Sequence, residues 1–169
     1  AKDFETSGKI ARAIQILGAK SGVRGMIGGQ TADMEAEDGK NPLTEELLLF
    51  IHENKTAALI QAAFMIGAVL AGADEQAVTQ MEKAAYNIGI AFQIQDDILD
   101  VTSTTEILGK PVGSDEKNHK LTYVTLKGLT ESKKEVARLS EEAIAILSSF
   151  ENKNEFLLQL VTSLINREK

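Results

Sequence analysis

The chain has 169 residues, 43% hydrophobic and 25% charged, an ordinary balance for one globular domain with a core of its own. With 18 lysines and arginines against 25 aspartates and glutamates the formal net charge is −7, which argues against nucleic acid as the main partner. There is no cysteine, so disulfides and thiolate metal sites are excluded.

A first helix is predicted over Thr6–Lys20 and a second over Gly22–Glu37. The second carries Gly25, Gly28 and Gly29. Glycine inside a helix costs about 1 kcal/mol against alanine, so these positions point to close helix packing, the more frequent cause, or to a backbone approached by ligand. Gln30 and Asp33 share a face that looks into a cavity or an interface. After the turn residues Glu37–Pro42, a long helix is predicted from Thr44, with Glu45 and Glu46 favouring its N-terminus, on to Ala71. In its middle stands HENKTAALI, His52–Ile60. Lys55 reads either as an amino group snorkelling out of a core helix or as a cation facing phosphate. Thr56 reads either as bonding the carbonyl one turn back or as presenting its hydroxyl to a ligand. The apolar stretch Ala57–Ala73 is interrupted by Gln61 and too short to read as a membrane span. The N-terminus has no signal-peptide pattern, so a cytoplasmic protein is expected.

Asp74 is placed to cap the next helix, which runs to Val101. Near its end lies FQIQDDILD, with Asp96, Asp97 and Asp100 among the apolar Phe92, Ile94, Ile98 and Leu99. Three close carboxylates repel one another and lose solvation unless a cation offsets them. No cluster of arginines is nearby in sequence, so a hard divalent metal is the natural counter-ion. On a helix Asp96 and Asp100 point the same way about 6 Å apart along the axis, Gln93 lies one turn earlier, and Asp97 is turned roughly 100° away. A solvated helix face is the plain alternative. The following loop, LGKPVGSDEKNHKLTY, carries Lys110 and Lys120, which read as solvated or as mobile point charges for phosphate. Gly109 and Gly113 would let that loop move over a site. His52 and His119 have no partner at metal-ligand spacing and read as ordinary. Helices over Leu121–Lys127, Glu131–Phe150 and Asn154–Arg167 complete the chain. No strand alternation or repeat stands out, so the fold class is an all-α bundle.

Taken in order, GMIGGQTADMEAE, HENKTAALI, FQIQDDILD and LGKPVGSDEKNHKLTY resemble the trans-prenyltransferases, the short-chain isoprenyl diphosphate synthases. DDILD matches that family's second aspartate-rich motif, and the GQTAD version is most similar to bacterial farnesyl diphosphate synthases, with geranylgeranyl synthases close by. The resemblance implies an all-α isoprenoid-synthase fold and a Mg2+-dependent reaction. In it an allylic diphosphate ionises, isopentenyl diphosphate attacks the carbocation, and a proton is lost. It places Asp96 and Asp100 around Mg2+ with Asp97 supporting. Lys55, Lys110 and Lys120 would hold the allylic diphosphate, and Thr56 and Gln93 would lie beside the carbocation. A homodimer is expected when intact, and the charge balance and the interrupted apolar stretch argue against nucleic acid and a membrane span. One departure stands out: only 24 residues precede Gly25, and none forms the family's first aspartate-rich motif with its arginines. Residues 1–169 are therefore read as the C-terminal part of a single synthase domain, expected to be inactive alone. A non-catalytic helical interaction domain that keeps the prenyltransferase fold is the competing reading.

Overall fold

The computed structural model describes residues 2–38, 44–102, 122–151, 154–165 and 167. Every regular element among them is helical: α1 (Lys2–Ser21), α2 (Met26–Glu37), α3 (Glu45–Ile51), a π-helical turn (His52–Ala57), α4 (Ala58–Ala71), α5 (Glu75–Thr102), α6 (Tyr123–Lys127), α7 (Leu129–Ser148) and α8 (Glu155–Ile165). The all-α expectation is met, and the boundaries follow from capping chemistry. The Thr44 hydroxyl accepts the Leu47 N–H at 3.2 Å, and the Asp74 carboxylate accepts the Ala77 N–H at 2.8 Å, each satisfying a donor the helix start leaves open. Thr122 and Thr125 cap α6 reciprocally, and the Asn154 side chain accepts the Leu157 N–H at 3.0 Å before α8. Two starts differ from the sequence reading by about a full turn, and α7 begins at Leu129, two residues before the predicted Glu131. α1 begins at Lys2 rather than Thr6, and α2 at Met26 rather than Gly22, because residues 22–25 form a turn instead of a first helical turn.

α5 is the hub, with α4 and the π turn on one side and α7 and α8 on another. Its Ile88, Ile94 and Ile98 meet Val136, Leu139, Ala143 and Leu147 of α7 and Val161 of α8. Burying each large aliphatic side chain stabilises the fold by about 1.5–3 kcal/mol. A second cluster joins Ile16 of α1, Ala62, Met65 and Val69 of α4, and Val78 of α5. Gln61, the polar interruption of the apolar helix, is buried and accepts a hydrogen bond from the Lys20 ammonium, which also pairs with Glu82 at 2.6 Å. One cation thus ties α1, α4 and α5 together. On its other side α1 exposes Ile10, Ile14 and Leu17, an apolar row at helical spacing.

The continuous helical run Glu45–Ala71, 27 residues, is long and apolar enough to cross a membrane by length and composition alone. The sequence reading weighed Ala57–Ala73 and expects no membrane span there. The run nevertheless packs against α1, α2 and α5 and buries His52 and Gln61, as a core helix does.

The π turn is the feature the sequence did not foretell. It sits between two glycines on neighbouring helices. A Cβ on Gly29 of α2 would run into the Lys55 backbone nitrogen, and one on Gly89 of α5 into the Cβ and Cα of Ala57. Close packing, the more frequent cause of helical glycine, is the one operating at Gly29. Gly67, in the middle of α4, is different: a Cβ there meets nothing within 4 Å. Alanine at Gly29 or Gly89 should therefore destabilise by about 1–3 kcal/mol from overpacking, despite the better helix propensity. Gly67→Ala should stabilise by up to about 1 kcal/mol. Urea denaturation of the three variants reads this directly, and equal behaviour at all three positions would contradict the clamp.

Candidate functional site

The π turn aims consecutive residues at different neighbours. Lys55 points to α2, where its ammonium pairs with the carboxylate of Asp33, itself 5% exposed. Thr56 points to α5, where its hydroxyl donates to Gln93 Oε1 at 3.0 Å. Three of the residues singled out in the sequence, Lys55, Thr56 and Gln93, thus come together where α2, the π turn and α5 meet. Asp33, noted for its face, joins them as the counter-ion of Lys55.

The three aspartates of α5 meet three different fates. Asp96 is exposed, and the Arg167 guanidinium donates to its Oδ1. Asp97 turns inward: its Oδ2 accepts the Tyr123 N–H at 2.7 Å and lies 4.0 Å from Nε2 of His52. Asp100 is 1% exposed. Asp96 and Asp100 are one turn apart, as the sequence suggested, but they do not form one open face, because tertiary neighbours cover Asp100 and leave Asp96 in solvent. His52, set aside as ordinary, is 5% exposed and stands beside the Asp97 carboxylate. Its place four residues before Thr56 on the same helical run was the available signal. Arg167 was missed altogether, since nothing local connects it with a residue 71 positions earlier. Lys110, Lys120 and His119 lie outside the described residues. At the edge of the site burial pushes the Tyr123 phenol above its usual range, and nearby Glu135 adds to the shift. The Tyr86 phenol is raised by burial first and then by Glu53 of the π turn.

Among the described residues no three carboxylate or imidazole groups converge as a ready metal cage. That arrangement still suits Mg2+, which is commonly bound through one or two carboxylates together with water and substrate phosphates. Asp96 is the carboxylate open to that role. Asp97, fixed by the Tyr123 backbone, holds α6 against α5.

The polyprenyl synthetase family model matches residues 5–161. The chain belongs to that family. It is 46% identical over 143 residues to the geranylgeranyl diphosphate synthase of Cyanophora paradoxa, covering 85% of this chain and 47% of that one. It is 44% identical over 126 residues to the farnesyl diphosphate synthase of Geobacillus stearothermophilus, covering 75% and 42%. Among solved structures, the Helicobacter pylori geranyltransferase complexed with magnesium and isoprenyl diphosphate superposes with a TM-score of 0.74 at 35% identity, over 95% of this chain and 52% of that one. The helical fold is therefore that of the isoprenyl diphosphate synthases. The chain spans about half the length of the curated relatives it matches.

For this family member, Asp97→Ala should destabilise by about 1–3 kcal/mol, because it strips a charged acceptor from the Tyr123 N–H. Asp96→Ala should cost less than about 1 kcal/mol, since an exposed pair contributes little to folding. Thermal unfolding of the two variants separates these roles, and equal losses would contradict them.

Proposed function

We propose that this chain carries the diphosphate- and metal-binding side of a short-chain synthase that condenses isopentenyl diphosphate with an allylic diphosphate, with farnesyl diphosphate as product. The observation that carries the reading is the pair of contacts made from one π turn, Lys55 to Asp33 of α2 and Thr56 to Gln93 of α5, with the exposed Asp96 three residues beyond Gln93. Support for the farnesyl assignment comes from the farnesyl synthase relative and from the geranyltransferase structure that superposes on it.

In this reading the allylic C–O bond breaks and the diphosphate leaves with the electron pair. The double bond of isopentenyl diphosphate then attacks the allylic carbon, and a proton is lost. Asp96 would hold Mg2+, with Asp97 and Asp100 shaping its helix; the metal supplies charge stabilisation to the departing diphosphate. Lys55 would add a positive charge to the diphosphate site, with Asp33 as the partner that holds its ammonium. With Lys110 and Lys120 it would complete the diphosphate contacts. Thr56 and Gln93 hold each other by their hydrogen bond and would present oxygen dipoles toward the allylic cation. The apolar flanks of α4 and α5 would keep water from that cation. The relatives are about twice as long, and the apolar row Ile10, Ile14 and Leu17 is where further helices would pack.

Labelled isopentenyl diphosphate offered with dimethylallyl or geranyl diphosphate tests the assignment. A protein of the relatives' length containing this chain should form a Mg2+-dependent farnesyl product, whereas the 169 residues alone should turn over nothing. A geranylgeranyl product would shift the chain-length assignment, and no prenyl product with any primer would overturn the reading. In the active protein Asp96→Ala should lower kcat/KM on the order of 100-fold, well beyond its effect on stability.

A further inference from the structure

Arg167 touches the aspartate-bearing helix in three ways. Its guanidinium lies over the Phe92 ring, 3.8 Å from the centroid, and donates to Asp96 Oδ1. Its backbone carbonyl accepts from the Gln95 side chain at 3.2 Å. The three contacts span residues 92 to 96, so a residue beyond the end of α8 is fastened along one turn of α5. Stacking on an aromatic face while pairing with a carboxylate is what the planar guanidinium does and an ammonium does poorly.

The partner chosen is telling. Among Asp96, Asp97 and Asp100, Asp96 alone is exposed, and it is the one Arg167 occupies. A carboxylate oxygen that accepts from a guanidinium has its charge already offset, and a cation arriving from solvent must displace that partner. The closure is also incompletely satisfied. Arg167 Nε is buried with no hydrogen-bond partner among the described residues, which penalises the closed arrangement and makes it easier to open.

We propose that Arg167 is a built-in counter-ion that competes with the divalent metal for Asp96, so that metal binding and release of Arg167 from α5 are one coupled event. The inference rests on the reading of Asp96 as a metal ligand. With the metal absent, Arg167 neutralises Asp96 and stays on α5. With the metal bound, the guanidinium leaves the carboxylate and Arg167 is freed from α5. By linkage, whatever holds Arg167 down weakens metal binding by the same factor.

Mn2+ serves as the probe, its free concentration read from the electron paramagnetic resonance signal of the 169-residue chain in titration. Arg167→Met, which keeps length and loses charge, should bind Mn2+ about five-fold or more tightly than the unaltered chain. Arg167→Lys, which keeps charge but loses the planar stack, should fall between them. Asp96→Asn should lose the site. A second readout is tryptic cleavage after Arg167, which should accelerate with Mn2+ in the unaltered chain and be fast and Mn2+-independent in Asp96→Asn. If Asp96→Asn binds Mn2+ as well as the unaltered chain does, the metal-ligand reading fails and the inference with it. If Asp96→Asn loses the site but Arg167→Met binds no more tightly, the competition alone is overturned. Absence of Mn2+ binding in both the unaltered chain and Arg167→Met overturns it too.

Discussion

The backbone of the π turn passes between Gly29 and Gly89 with no room for a methyl group on either side, and the candidate site is arranged around that passage. Close approach brings α5 within reach of the short Thr56 hydroxyl and α2 within reach of the Lys55 ammonium. Lys55 can then meet Asp33, and Thr56 can meet Gln93 at 3.0 Å. Glycine at both contacts gives up helix propensity, about 1 kcal/mol at each, in exchange for that proximity. π turns recur at functional sites for a related reason: they turn successive side chains to directions an α-helix cannot combine.

A second division of labour runs along α5. Its buried isoleucines join α7 and α8 into the core, while the aspartates between them separate into a structural acceptor, a covered carboxylate and an open one. The low dielectric around Asp97 strengthens its hydrogen bond to the Tyr123 backbone. Asp96 keeps water on one side, where exchange of partners is inexpensive. Carboxylates one to four residues apart therefore serve folding and ligand chemistry separately, and the surroundings decide which does which.

Much of this was legible in the sequence. Helical composition, the cap Asp74 and the acidic pair Glu45 and Glu46 at a helix start give the elements, because those signals are local. Lys55, Thr56, Gln93 and the three aspartates stand out because polar groups in apolar helices need an explanation. The π turn did not stand out, since its composition is that of an α-helix and only the neighbouring glycines impose it. The pairing of Lys55 with Asp33, the place of His52 beside Asp97 and the reach of Arg167 to Asp96 are tertiary facts. Each joins residues 22 or more positions apart, beyond any periodic pattern.

The π turn also makes the Glu45–Ala71 run a rod with a phase step in it. Each residue advances an α-helix by about 100°, and a π turn absorbs an extra residue without breaking the rod. Ahead of the step, Leu48 and Ile51 face inward; beyond it, Ala58, Ala62, Met65 and Val69 do. Deleting one residue within His52–Ala57 would let the turn relax to an ordinary α-helix. Everything downstream would then keep its phase relative to α3, because the deleted residue is the one the wider turn had absorbed. The inward stripe of α4 would stay on α1 and α5, and Gln61 on Lys20, while the side chains inside the turn would lose their separate directions. The extra residue therefore serves the site and not the core: its removal spares the packing and ends the two-sided reach of the turn.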